Sequence, residues 1–307
     1  MPKPTTPIAP LVAMVGYTAS GKTGWGIDLA EALDGEVIGA DSRQVYRQLD
    51  IGTAKPTLDE RARVPHHCID HVDPAEQYHL ARYLRDARAA VEDVGSRGKR
   101  AILVGGTGQY VWALLEGWSV PEVEPDLALR EALTAEAERD GAAALHARLA
   151  EIDATAARRI HPNNVRRLIR ALEVHQLTGR PISDWHEERH QFEVTIVAPD
   201  IELERIDRRI ASRVDAMFAA GLVAETEALL AEGLEPEVPG LQSIGYSQVV
   251  QYLLPSAAPA PSLDETIEAV KLATRQLARA QAKWFRRDDP RIRWFPTPQA
   301  ALSVLGG

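Results

Sequence analysis

The chain has 307 residues, 45% of them hydrophobic and 26% charged, with a net charge of −9. That is long enough for one large domain and a smaller one, and the composition is that of an ordinary soluble globular protein. A single cysteine, Cys68, excludes an internal disulfide framework and any Cys-rich zinc module, and no apolar run approaches the length of a membrane span. The N-terminal MPKPTTPIAP has no charged-then-apolar leader pattern, so a cytoplasmic location is expected.

The acidic total argues against a nucleic-acid partner, but the charge is clustered. Residues 158–170 hold five arginines and no acid, and residues 275–293 hold seven cations against two acids. Two basic patches on an acidic body can form an anion-binding surface despite the sum.

In chain order, short β-branched runs ending in Gly, Asp or Pro predict strands at 11-LVAMVG-16, 36-EVIGAD-41, 101-AILVGG-106 and 192-FEVTIVAP-199. Helical patterns lie between the first three, around 22–33 and 78–97. That alternation implies a parallel sheet with crossover helices. From 121 to 190 the sequence is Ala/Glu/Arg-rich and amphipathic with no strand signal, which predicts a helical insertion. After the fourth strand helices are expected to the end of the chain, broken by the loop 255-PSAAPAPS-262. The expected fold class is therefore α/β: a P-loop NTPase-like parallel core, helices on both faces, over residues 9–120 and 191–307, plus a helical insertion domain at 121–190.

The first strand runs into 16-GYTASGKT-23, which fits G-x-x-x-x-G-K-[ST] between a strand and a helix. Gly16, Thr18, Ala19, Ser20 and Gly21 would curl backbone N–H groups around a phosphate, aided by the positive end of the following helix. Lys22 would reach the terminal phosphates, and the Thr23 hydroxyl suits Mg²⁺. The second strand ends at Asp41, which can serve either in a metal shell or as a base; spacing alone does not separate these. The third strand ends in 105-GGTGQY-110, placing Thr107 at the carboxyl edge of the sheet, where ligands of open α/β sheets bind. The segment 186-HEERH-190 matches the zinc-protease spacing, but it lacks an apolar helical face and an obvious third ligand.

With these features goes a set of longer blocks: 39-GADSRQVYRQLDIGTAKP-56, 64-VPHHCID-70, 158-RRIHPNNVRRLIRALEV-174, 240-GLQSIGYSQ-248 and 284-WFRRDDPRIRWF-295. Together with the phosphate loop and 103-LVGGTGQY-110, they resemble, in family order, the tRNA dimethylallyltransferases. The chain departs from that pattern at Tyr17 (usually Pro), Gly39 (Ser), Gln48 (Gly), Cys68 and Gln109 (Leu). The resemblance implies a dimethylallyl diphosphate donor and, as acceptor, N6 of the adenosine 3′ of the anticodon in tRNAs reading codons that begin with U. It implies Asp41 as the base, Thr107 and Arg213 on the leaving diphosphate, and Mg²⁺ as cofactor. It further implies that Asp41, Ser42, Arg43, Gln44 and Thr107 meet the acceptor base. Arg130, Arg166, Arg167, Leu168, Ile169 and Arg170, and on the last long helix Arg275, Arg279 and Lys283, are expected to meet the tRNA. On that helix Ile267, Val270, Leu277 and Trp284 make an apolar stripe expected to pack against the body. A monomer without an obligate protein partner or membrane contact is expected. The residues alone leave open a phosphate-loop kinase of small molecules or polynucleotides, and a non-catalytic RNA-binding module.

Overall fold

The structure is a computed structural model and describes residues 10–185, 192–256 and 258–306. The chain divides into two compact units, residues 1–115 with 191–307, and residues 116–190.

In the first unit the order is β1 (Leu11–Val15), α1 (Lys22–Ala32), β2 (Gly35–Ala40), α2 (Leu58–Arg63), β3 (His66–His67), α3 (Leu80–Ser96), β4 (Arg100–Gly105) and α4 (Gly108–Leu115). The second unit contributes α5 (Leu127–Asp140), α6 (Ala142–Ile152), α7 (Ala154–Arg159) and α8 (Val165–Thr178). The first unit resumes with β5 (Val194–Pro199), α9 (Leu203–Ala219), α10 (Leu222–Ala231), α11 (Tyr246–Leu253), α12 (Leu263–Trp284), β6 (Ile292–Phe295) and α13 (Pro298–Leu305).

The six strands form one all-parallel sheet in the order β3-β2-β4-β1-β5-β6. β1 is central, with Val12 opposite Ile102 on one side and Thr195 on the other. Every residue of β1 is buried, which is why it reads as a continuous apolar run and not as an alternation. Val12, Met14, Ile102 and Val104 face one layer, packed on Ile27 and Leu29 of α1 and Ala301 of α13. Their neighbours Leu11, Ala13, Val15 and Leu103 point to the opposite face and are equally buried, and α3 contacts β2 and β4.

Four strands stand where the apolar runs predicted them. The other two escaped the pattern. β3 is only two histidines long, and β6 reads Ile-Arg-Trp-Phe at the sheet edge with Arg293 exposed, so neither shows an apolar run. β6 also corrects the expectation of helix to the end of the chain. The parallel order brings the loops after β1, β2 and β4 together at one carboxyl edge.

The second unit has its own core, in which Leu133 of α5, Leu145 and Leu149 of α6 and Leu168 and Leu172 of α8 pack together.

Candidate active site

The loop after β1 is bent by residues in left-handed conformations, Ala19 at φ 61° and Gly21 at φ 91°. Gly21 caps α1 without any side-chain cap, so the first N–H groups of that helix are left for an anion. Lys22 curls back so that its Nζ donates to the Tyr17 carbonyl at 3.3 Å. Burial pulls the Lys22 pKa down to about 8; Asp41 raises it and Arg213 lowers it, and burial wins. Arg213 of α9 is itself lowered by burial and donates from Nη1 to the Thr18 hydroxyl at 3.4 Å. One turn earlier Arg209 donates to the Ser20 carbonyl at 3.1 Å, bracing the outside of the loop.

Facing this loop is the segment after β2. The Asp41 Oδ1 accepts from the backbone N–H of Arg43 at 2.9 Å and of Gln44 at 3.4 Å, which fixes the carboxylate beside its own strand end. Thr107, after β4, ties the two strand ends together. Its N–H donates to the Ala40 carbonyl at 3.1 Å and its Oγ1 accepts from the Ser42 N–H at 3.0 Å. The Gln44 carboxamide donates to the carbonyls of Thr53 and Ala54 at 3.1 and 3.0 Å, and Arg43 donates to the Pro239 carbonyl at 3.1 Å.

The DIGTAKP block is explained by Lys55, whose side chain is 1% exposed. Its ammonium sits between Asp50 at 2.6 Å and Asp70 at 2.7 Å and donates to the Tyr46 carbonyl at 2.7 Å. A buried cation with three acceptors is satisfied, and it gathers three points of the loop that carries Asp41. The Gly52 N–H donates to the Tyr246 hydroxyl at 3.0 Å, and that hydroxyl donates to Glu225 in a short bond. The 240–248 block is thereby fastened to the same loop.

Between the phosphate loop and the Asp41 segment lies a cavity of about 420 Å³. Its polar lining includes Thr18, Lys22, Thr23, Asp41, Thr107 and Arg213. Its apolar wall is made by Val214 and Met217 of α9 and Val270, Leu277 and Trp284 of α12. All the donor-site residues expected from the sequence therefore line this cavity or form the loop beside it. The apolar stripe on α12 is a correction: Val270 is buried, but Leu277 and Trp284 are each 39% exposed and line the cavity instead of packing as core. Gln281, on the same helix, was missed by the sequence reading. So were Trp284 as a cavity residue, Met217 and Arg209. Of these only Trp284 falls in one of the matched blocks, 284–295; Gln281, Met217 and Arg209 lie outside them. Tyr17 turns out to face away from the cavity. It is 4% exposed, packs 6.0 Å from the Trp294 ring and donates its hydroxyl to the Phe285 carbonyl at 3.3 Å. Gln109 does line the cavity.

The expected RNA residues of the second unit divide. Arg166 and Arg167 are exposed in the first turn of α8. Arg130 and Arg170 instead meet Glu173, which is fully buried, at 2.7 and 2.6 Å. Burial pushes the Glu173 pKa up, but the bonds from Arg130, Arg170 and the Asp126 N–H outweigh it and hold the carboxylate below its ordinary value. Leu168 and Ile169 are 0% and 8% exposed, so their side chains belong to the core and not to a surface. Spacing of four on a helix identified a common face without saying what that face meets. On α12 Arg279 pairs with Asp207 at 2.7 Å, Lys283 is exposed, and Arg275 is partly exposed. The 186-HEERH-190 segment lies outside the described residues.

A parallel sheet with a lysine-bearing phosphate loop, a tethered carboxylate at the next strand end and a cavity between them defines a phosphate-loop α/β protein. The IPP transferase family model matches residues 44–288. A tRNA dimethylallyltransferase of Roseiflexus sp. is 48% identical over 91% of this chain and 90% of its own length. The solved structure of a full-length tRNA isopentenylpyrophosphate transferase from Bacillus halodurans superposes with a TM-score of 0.70 at 37% identity, covering 97% of this chain and 96% of that one. A eukaryotic dimethylallyltransferase acting on tRNA gives a TM-score of 0.81 at 28% identity, over 96% of this chain and 78% of that one. The chain belongs to the IPP transferase family.

Proposed function

We propose that the protein is a tRNA dimethylallyltransferase, which moves the dimethylallyl group of dimethylallyl diphosphate onto N6 of the adenosine 3′ of the anticodon. The observation that carries this is the make-up of the cavity of about 420 Å³, with the phosphate loop and Asp41 on its polar side and the apolar wall from α9 and α12 beside them. A diphosphate fits the uncapped N-terminus of α1 with Lys22, Thr18, Thr107 and Arg213 around it, and an allyl group fits against Met217, Leu277 and Trp284.

The adenine amine is a weak nucleophile because its lone pair is delocalised into the ring. Its nitrogen forms the new bond to the allylic carbon as the bond from that carbon to the diphosphate oxygen breaks. The charge gathering on the leaving diphosphate is met by Lys22, Arg213 and the helix N–H groups, which are already aimed there. Asp41 takes the proton that the amine loses. Its carboxylate is held by the Arg43 and Gln44 N–H groups in a fixed direction, so no reorientation is needed. The Thr23 hydroxyl is a hard oxygen donor on the same cavity, and with the diphosphate oxygens it would suit Mg²⁺. When bound, the ion adds positive charge at the leaving group.

The acceptor base must leave the anticodon-loop stack to reach the cavity, at a cost of a few kcal/mol. Arg166 and Arg167 on α8, and Arg275 and Lys283 on α12, are the cations proposed to hold the RNA backbone. A tRNA substrate supports a cytoplasmic location.

The test is incubation with tRNA, Mg²⁺ and labelled dimethylallyl diphosphate. Label in tRNA with one diphosphate released per transfer and no ATP consumed is the expected result. ATP turnover without label in tRNA would replace this reading by a phosphate-loop kinase.

A further inference from the structure

Gln281 is 7% exposed, in the fourth-last position of α12, and nothing in the reaction above uses it. Its carboxamide spans the donor site. The Thr18 N–H of the phosphate loop donates to Oε1 at 2.7 Å, and Nε2 donates to the Gly106 carbonyl at the end of β4 at 2.9 Å. The orientation of the amide is dictated by its partners, since one is only a donor and the other only an acceptor.

The mount for this side chain is rigid. The last carbonyls of α12 would otherwise be orphaned at the helix end. The Trp284 carbonyl accepts from the Trp112 indole N–H at 3.1 Å, and the Phe285 carbonyl accepts from the Tyr17 hydroxyl. The end of α12 is thus fastened to α4 on one side and to the phosphate loop on the other. Gly106 must be glycine for the bridge to exist. A Cβ there would lie 2.5 Å from Gln281 Nε2, 3.1 Å from the Gly16 carbonyl and 3.2 Å from Lys22 Nζ. The carboxamide, the loop backbone and the lysine that meets the diphosphate therefore converge at one point.

We propose that Gln281 is a positioning residue that clamps the phosphate loop to the end of β4, and so sets the distance between the diphosphate cradle and the Thr107–Asp41 edge. The two walls of the cavity come from different strands and share no other side-chain bridge among the bonds described above. Without the clamp the loop keeps its fold, held by Arg209 and Arg213, but its register against Asp41 is free to slip. The proposal rests on the prenyl-transfer reading, in which both walls act on one donor molecule.

Gln281→Leu keeps the volume and removes both bonds. Gln281→Glu keeps the acceptor for the Thr18 N–H and removes the donor to Gly106. Both variants are compared with wild type by calorimetric titration of inorganic diphosphate, by steady-state kinetics with donor and tRNA varied in turn, and by melting temperature. The expected result is a loss of about tenfold to a hundredfold in kcat/KM for the donor. Diphosphate binding is expected to weaken in parallel, with tRNA affinity unchanged. Gly106→Ala, which displaces the carboxamide without altering it, should show the same pattern and serves if Gln281→Leu does not fold. Wild-type values for donor kinetics and diphosphate binding in folded Gln281 variants would overturn the proposal. So would a fall in melting temperature and tRNA affinity with no selective effect on diphosphate. Wild-type protein that binds diphosphate but never labels tRNA would instead count against the prenyl-transfer reading.

Discussion

Two sites in this chain, one in each unit, treat charge removed from water in opposite ways. In the helical unit the carboxylate of Glu173 has no exposure at all, and it is met by Arg130, Arg170 and the Asp126 N–H, so every lone pair of consequence has a partner. At the cavity of the sheet unit Lys22 and Arg213 are partly buried, and their hydrogen bonds go to a carbonyl and a hydroxyl. Their charge is left uncompensated at close range except by Asp41 at a distance, and both have pKa values pulled down. A satisfied charge stabilises the fold it sits in; one left without a carboxylate partner at a cavity wall is available for a ligand of the opposite sign. The difference separates arginines that hold the protein together from cations that wait for a substrate.

Breaking the reactive side should give the largest effect. Asp41→Asn keeps the bonds from the Arg43 and Gln44 N–H groups but cannot accept the proton. The rate of tRNA prenylation is expected to fall by about 10²–10⁴, with diphosphate binding and melting temperature near wild type. A variant that prenylates at full rate would remove Asp41 as the base.

Breaking the structural side should act on stability instead. Glu173→Ala leaves two guanidinium groups and a backbone N–H without their carboxylate. Because the arginine side chains are 37% and 29% exposed, water screens them and softens the loss. The expected cost is roughly 1–3 kcal/mol, below that of breaking a fully buried pair. Urea denaturation of the full chain measures it, while donor kinetics in the absence of urea should be unchanged. Weakened diphosphate binding with unaltered stability would erase the contrast between the two sites.

The smallest effect is a pH dependence that sharpens the comparison. Lys22 is protonated below about 8 and neutral above it in the free enzyme. Only the protonated form attracts a diphosphate, so affinity should be full at pH 7 and fall above pH 8, by at most about tenfold per pH unit. Titration of inorganic diphosphate at pH 7, 8 and 9 measures this, and Lys22→Met provides the control for the ionisation of the ligand itself. A wild-type profile identical to that of the variant would show that Lys22 does not govern the dependence.

The phosphate loop and the two carboxyl-edge residues were legible because they obey local rules. Gly16 to Thr23 must follow a buried strand and open a helix, and Asp41 and Thr107 must end strands, and all of this is visible in the order of apolar and small residues. Leu277 and Trp284 were legible as a helix stripe but not as a cavity wall, since periodicity identifies a common face and not its neighbour. The same limit explains Arg130 and Arg170, whose cationic spacing resembles a phosphate-binding face until Glu173 is seen beneath it. Gln281 gave no signal by type, because a glutamine in a helix rich in charged residues, like Gln276 earlier in the same helix, reads as solvated.

The sequence by itself determined the parallel α/β class, the cradle for an anion and the carboxylate near it, because strand order and phosphate loops are written in contiguous residues. Only the tertiary structure decided which cations stay unpaired, which side of α12 lines the cavity, and that Gln281 joins its two walls. Thr18 meets Gln281 across 263 positions and Arg130 meets Glu173 across 43, and pairing at such separations is set by packing, not by local pattern.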